Sequence, residues 1–100
     1  MSFTEDEMDR VCRAIADPTR RRIIEELAAR DRQSLFEICA RLMSGHGIGL
    51  SRQGFSRHLS VLEEAGIVEV AWQGTTKLHS LNTAPLARLS AGWLSRFREP

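Results

Sequence analysis

Lysine is almost absent from this chain: of 14 basic residues only Lys77 is a lysine. Arginine's planar fork suits phosphate and guanine better than an ammonium does, although genomic base composition produces the same bias. Cysteine is scarce too, at 2 in 100 residues, too few for the disulfide framework of a small secreted domain. Cys12 and Cys39 fall in apolar periodic segments, so both are expected to be buried, reduced and slow to react. No apolar run approaches the roughly 20 residues that span a bilayer, and no charged, then apolar, then small-residue leader opens the chain. A cytoplasmic protein without a membrane partner is expected. The constellations of catalysis are missing as well: no Ser-His-Asp order, no paired carboxylates in a polar setting, no His/Cys metal cluster. Gly45, Gly47 and Gly49 neither follow a strand nor precede a lysine, which excludes a nucleotide loop. No enzyme is expected, and no catalytic residue or cofactor is assigned.

What is present is a single short domain, residues 1–100, with a modest core. Its net charge of +1 does not by itself point to a polyanion. The distribution says more. Glu5, Asp6, Glu7 and Asp9 crowd the start, whereas residues 52 to 62 hold no acid at all. Patches, not totals, make an electrostatic footprint.

The spacing predicts a first helix over Glu5 to Ala16, with Met8, Val11, Cys12 and Ile15 as its stripe. Asp17 then caps a second helix, and Pro18 takes the first helical position, where its missing N–H does no harm. That helix runs to about Arg30 and buries Ile23 or Ile24, Leu27 and Ala28. Arg20, Arg21 and Arg22 are expected on a solvated face, paired with Glu25 and Glu26, with a phosphate contact as the alternative. Ser34 and Glu37 form a capping box for a third helix carrying Leu35, Ile38, Cys39 and Leu42. Ser44 to Gly49 reads as a glycine-rich turn. Ser51 caps a fourth helix that reaches Ala65 and stops at Gly66. Ile67–Trp72 and Thr76–Leu81 read as two strands around the turn Gln73-Gly74-Thr75. Asn82 or Thr83 starts a last helix, with Leu86, Leu89, Trp93, Leu94 and Phe97 along one side.

The fourth helix is the informative one. Phe55, Leu59 and Leu62 recur on one side, while Arg52, Gln53, Ser56, Arg57 and His58 occupy the other. A helix that buries one face and offers donors and cations on the opposite one is suited to lie against nucleic acid. With the hairpin behind it, the order helix, helix, helix, helix, strand, strand, helix is a winged helix-turn-helix: a mainly α fold with a two-stranded β-hairpin wing. Ser51 presents the helix N-terminus to a phosphate. Arg52 and Gln53, on the first turn, suit guanine O6/N7 and adenine N6/N7. Ser56 and Arg57 follow one turn on, toward a phosphate or base edge. Gln73, Thr75 and Lys77 are the wing-tip candidates, with a plain solvated turn as the alternative. Gly54 is unusual, since a mid-helix glycine costs about 1 kcal/mol against alanine; close approach of DNA or close packing on the third helix would each account for it. The apolar last helix has little chain left to cover it, and a second copy of the same surface is its expected cover. A winged-helix module that binds protein and has no DNA affinity is the competing function.

Three stretches together resemble the ArsR/SmtB-type (arsenic-repressor) family of bacterial transcription regulators. Ala14–Ile24, with Asp17-Pro18-Thr19-Arg20 at its centre, resembles the family's opening signature; Ser51–Val68 resembles its recognition helix and the start of its wing; Leu81–Leu86 resembles the junction into its last helix. The resemblance implies a homodimeric repressor joined through first and last helices, here Met8, Val11, Leu86, Leu89, Trp93, Leu94 and Phe97. It implies two recognition helices in successive major grooves of a palindrome on double-stranded DNA, and it places a phosphate contact at His58, with a satisfied histidine at the core boundary as the alternative. Many relatives sense metals, but the thiol site on the third helix needs two cysteines one residue apart, and Phe36–Arg41 has only Cys39. The zinc site on the last helix needs Asp and His, and residues 84 to 98 contain neither. No metal ligand is therefore assigned, and no effector small molecule is legible.

Overall fold

The computed structural model describes residues 3–99. Its elements are α1 Glu5–Ile15, α2 Pro18–Ala29, α3 Leu35–His46, α4 Arg52–Glu64, β1 Val68–Gln73, β2 Thr76–Leu81 and α5 Ala84–Ala91, followed by a 3₁₀ segment, Trp93–Phe97. The first four helices begin where a short polar side chain takes up a free backbone N–H. Thr4 accepts from Glu7, Asp17 from Thr19 and Arg20, Ser34 from Glu37, and Ser51 from Gly54. The Ser34–Glu37 capping box closes in both directions, at 3.2 and 3.1 Å. At the far end of α4, Gly66 (φ 76°) turns the chain while Gly66 N–H donates to Glu63 and Ile67 N–H to Leu62. This is a Schellman stop, and its apolar pair Leu62 and Ile67 is fully buried.

One core joins every helix to the base of the hairpin. It contains Val11, Ala14, Ile23, Leu27, Ile38, Leu42, Phe55, Leu59, Leu62, Ile67, Val68 and Leu89. β1 and β2 are antiparallel, with Val68 opposite Leu81 and Gln73 opposite Thr76. Gln33, between α2 and α3, adds a one-residue bridge to His79, exchanging backbone hydrogen bonds of 3.0 and 2.8 Å. That bridge is why His79 is buried, and the His79 Nδ1–H also donates to the Gln33 carbonyl at 3.0 Å.

Several boundaries differ from those read in the sequence. α3 continues through Ser44, Gly45 and His46, and the chain turns only at Gly47 (φ 65°). Gln73 belongs to β1, so the wing tip is the two-residue turn Gly74-Thr75, with positive φ at Gly74 alone. Ala28 is exposed, and Ile23 rather than Ile24 is the fully buried isoleucine. The last helix does not reach Phe97. It breaks at Gly92, whose ψ of −112° is not helical and where an added Cβ would lie 2.8 Å from the Arg88 carbonyl oxygen. Only glycine fits there, so the break is written into the chain.

Candidate nucleic-acid interface

Phe55, Leu59 and Leu62 anchor one side of α4 in the core. That anchoring forces the other side outward, because residues a half-turn away cannot share the buried face. Arg52, Gln53, Ser56 and Arg57 are all exposed, and together with Leu35 and Ser60 they line one shallow concavity on the surface. No acid lies among these lining residues. Ser51 Oγ accepts from Gly54 N–H at 3.0 Å, so the capping serine satisfies one orphan donor and leaves the exposed N-terminus of α4 otherwise open. Close packing on α3 does not explain Gly54. The atoms nearest a Cβ there would be Ser51 Oγ at 3.4 Å and Leu50 carbons at 3.5 and 3.9 Å, none of them on α3.

His58 is placed differently from the rest. It is half-buried, and its Nδ1 lies 3.1 Å from Arg20 Nη1. A guanidinium can only donate, so Nδ1 accepts and the ring proton sits on Nε2. The same Arg20 donates from Nε to the Ala14 carbonyl at 2.6 Å and from Nη2 to the Arg13 carbonyl at 3.0 Å, while Arg21 donates to the Ile15 carbonyl at 2.8 Å. The arginines of α2 thus satisfy the free carbonyls at the C-terminus of α1, where a cation is favoured. Only Arg22 makes the expected ion pair, with Glu25 at 2.7 Å; Glu26 accepts from Gln33 instead. Arg20 therefore ties α1, α2 and α4 together, and His58 is a link in that tie through Nδ1. Asp17 sits beside it. Partial burial works to raise its pKa but is outweighed by backbone N–H donation from Arg20 and Thr19 and by the charge of the Arg20 guanidinium, leaving its carboxyl below the usual range.

At the wing, Gln73, Thr75 and Lys77 are exposed around the Gly74-Thr75 tip. Trp72, 66% exposed and opposite Lys77, was not among the residues expected there. By strand alternation it shares a face with the buried Val68 and half-buried Val70. The hairpin outruns the core before Trp72, so an inward-facing position by parity stands in the open. The sequence signal was available: a large aromatic one residue from the turn, too far along the strand to reach the core.

A helix-turn-helix domain family matches residues 15–71, which spans α2 to β1. The chain is 37% identical over 86 residues to an uncharacterised HTH-type transcriptional regulator, YuzN, of Bacillus subtilis (strain 168), covering 86% of this chain and 94% of that protein. It is 32% identical over 90 residues to the transcriptional repressor SdpR of the same organism, covering 90% of this chain and 91% of that one. Among solved structures, the homodimeric winged helix-turn-helix DNA-binding domain of a Mycobacterium bovis protein described as a possible ArsR-family transcriptional regulator superposes with a TM-score of 0.69 at 26% identity, over 91% of this chain and 76% of that one. The chain belongs to the ArsR family of winged helix-turn-helix transcriptional regulators.

The ArsR resemblance also assigned a subunit seam, and its residues separate into two groups. Val11 and Leu89, at 1% and 3% exposure, lie inside the subunit's own core and are removed from the seam. Met8 and Leu86 are half-buried against that core. Trp93, Leu94 and Phe97 remain outside, with the Trp93 and Phe97 rings tilted against each other at a centroid distance of 4.9 Å. The ArsR thiols are not alike either. Cys12 is exposed rather than buried, because the inward side of α1 is carried by Val11 and Ala14. Cys39 is half-buried, and burial pushes its thiol above the usual range against the opposing charge of Arg52. Among the described residues no group of three or more His, Cys, Asp or Glu side chains is placed to hold a metal ion, and no helix is long and apolar enough to cross a membrane.

Proposed function

We propose that this ArsR-family protein is a dimeric, cytoplasmic repressor that binds a palindromic operator and performs no catalysis. α4 enters the major groove with Arg52 and Gln53 toward base edges, Ser56 and Arg57 toward a base edge or phosphate, and the Ser51 end of the helix toward a phosphate. Gln73, Thr75 and Lys77 follow the sugar–phosphate backbone at the wing, with Trp72 beside them. His58 holds Arg20 and so fixes the angle of α4 on the body, keeping its Nε2–H for the DNA side. Trp93, Leu94 and Phe97, with Met8 and Leu86, meet the same surface of a second copy.

The observation that carries this reading is the exposed, acid-free face formed by Arg52, Gln53, Ser56 and Arg57 on a helix whose other face is locked in the core. The repressor SdpR and the homodimeric DNA-binding domain from M. bovis support it. Selection of bound sequences from a random duplex pool tests it. A palindromic motif with half-sites about one DNA turn apart is expected. No enrichment above the input pool would favour the competing reading, a winged-helix module that contacts protein.

A further inference from the structure

The outward side of α3 carries apolar residues that neither the core nor the DNA reading uses. Phe36 and Met43 are 67% and 56% exposed, and Leu50, 39% exposed, stands across from them at the end of the α3–α4 loop. Together with Cys39 and Ala40 they line a groove whose one charged lining residue is Arg52. No acid lines it, so a guanidinium stands at the rim of an apolar trough without a counter-ion of its own there.

We propose that this groove binds a small organic anion with a flat apolar body, the body lying on Phe36, Met43 and Leu50 and the carboxylate or sulfonate taking Arg52. Apolar walls with one convergent polar group are the usual form of a small-molecule site, and a guanidinium–oxyanion bond is among the stronger polar contacts a protein makes. Because Arg52 also belongs to the proposed base-reading face, an occupant would withdraw it from the duplex. That consequence rests on the DNA reading; binding itself does not.

The probe is 8-anilinonaphthalene-1-sulfonate, compared with its uncharged analogue N-phenyl-1-naphthylamine, both followed by fluorescence. One saturable sulfonate site per subunit is expected, lost in Phe36→Glu and in Met43→Glu, weakened about tenfold in Arg52→Ala, and at least about tenfold weaker for the uncharged analogue. Both glutamate variants change exposed positions, and thermal melting checks that they fold. Sulfonate binding that survives both glutamate variants overturns the proposal, as does equal affinity for the uncharged dye. A drop in sedimenting mass in Phe36→Glu would show a second copy seated in the groove and overturn it as well. In gel shifts, saturating sulfonate should weaken operator binding about tenfold. Dye binding without any DNA affinity would sink the regulator reading and leave the groove intact; DNA affinity without dye binding would do the reverse.

Discussion

α4 and the segment after β2 are both amphipathic, and both leave one side without a partner, but they leave opposite chemistries. α4 buries Phe55, Leu59 and Leu62 and exposes arginine, glutamine and serine. The C-terminal segment buries Leu89 and exposes Trp93, Leu94 and Phe97. The first surface is stable in water and suits a polyanion; the second is an aromatic patch that water disfavours and that suits another apolar surface. The division inside the C-terminal segment comes from one residue. Gly92 ends α5, so the residues before it pack on the core of their own subunit and those after it do not.

The largest effect that separates these roles is within the C-terminal segment. Leu89→Ala should lower unfolding free energy by about 2–5 kcal/mol in denaturant titrations. Phe97→Ala, measured at concentrations dilute enough to separate any copies, should change it by under about 0.5 kcal/mol. Equal losses would erase the distinction between core and seam. Next in size is α4: Arg57→Ala should weaken operator affinity by about 1–3 kcal/mol while the sedimenting mass stays unchanged. A smaller, two-signed effect sharpens the account of Gly54. Gly54→Ala should raise unfolding free energy by up to about 1 kcal/mol, because the added Cβ meets only ordinary contacts at 3.4 Å and beyond. The same variant should bind the operator less tightly if the duplex approaches the helix here; tighter or unchanged binding would leave the glycine without a DNA role.

The smallest effect is the pH response. The carboxyls of Asp17 and Glu37 both have lowered pKa values. At Asp17, burial opposes the shift and the Arg20 and Thr19 N–H groups overcome it; at Glu37, the Ser34 N–H and hydroxyl dominate. A lowered folded pKa means that their stabilisation is whole above the ordinary carboxylate range and is lost as pH falls through the folded values. Melting temperatures of Asp17→Asn and wild type should therefore converge in acid and separate by neutral pH. A gap that widens in acid would reverse the sign.

Most of the fold was legible because local chemistry agreed with the global answer: Asp17-Pro18, the Ser34–Glu37 box, Ser51 and Gly66 each mark a helix end by a mechanism that acts over three or four residues. The outward face of α4 was legible for the same reason, since Phe55, Leu59 and Leu62 leave only one way for Arg52 and Arg57 to point. What the sequence did not disclose depended on distant contacts. Arg20 reaches back to the carbonyls of α1 and across to His58, 38 residues away, and no periodicity encodes that. Val11 and Leu89 were read as seam because a stripe shows that a face is buried and not against what. Trp72 was passed over because alternation gives the side of a strand and not how far the core extends beneath it.

The central claim is that the cationic side of α4 is the surface that meets a duplex. Operator affinity measured across a series of salt concentrations, for wild type and for the Arg52→Ala, Arg57→Ala double variant, tests it most directly. Wild-type affinity should fall steeply on a log–log plot as counterion release loses its driving force, and the double variant should bind more weakly with a shallower slope. A flat wild-type response, or an unchanged slope in the double variant, would contradict the claim.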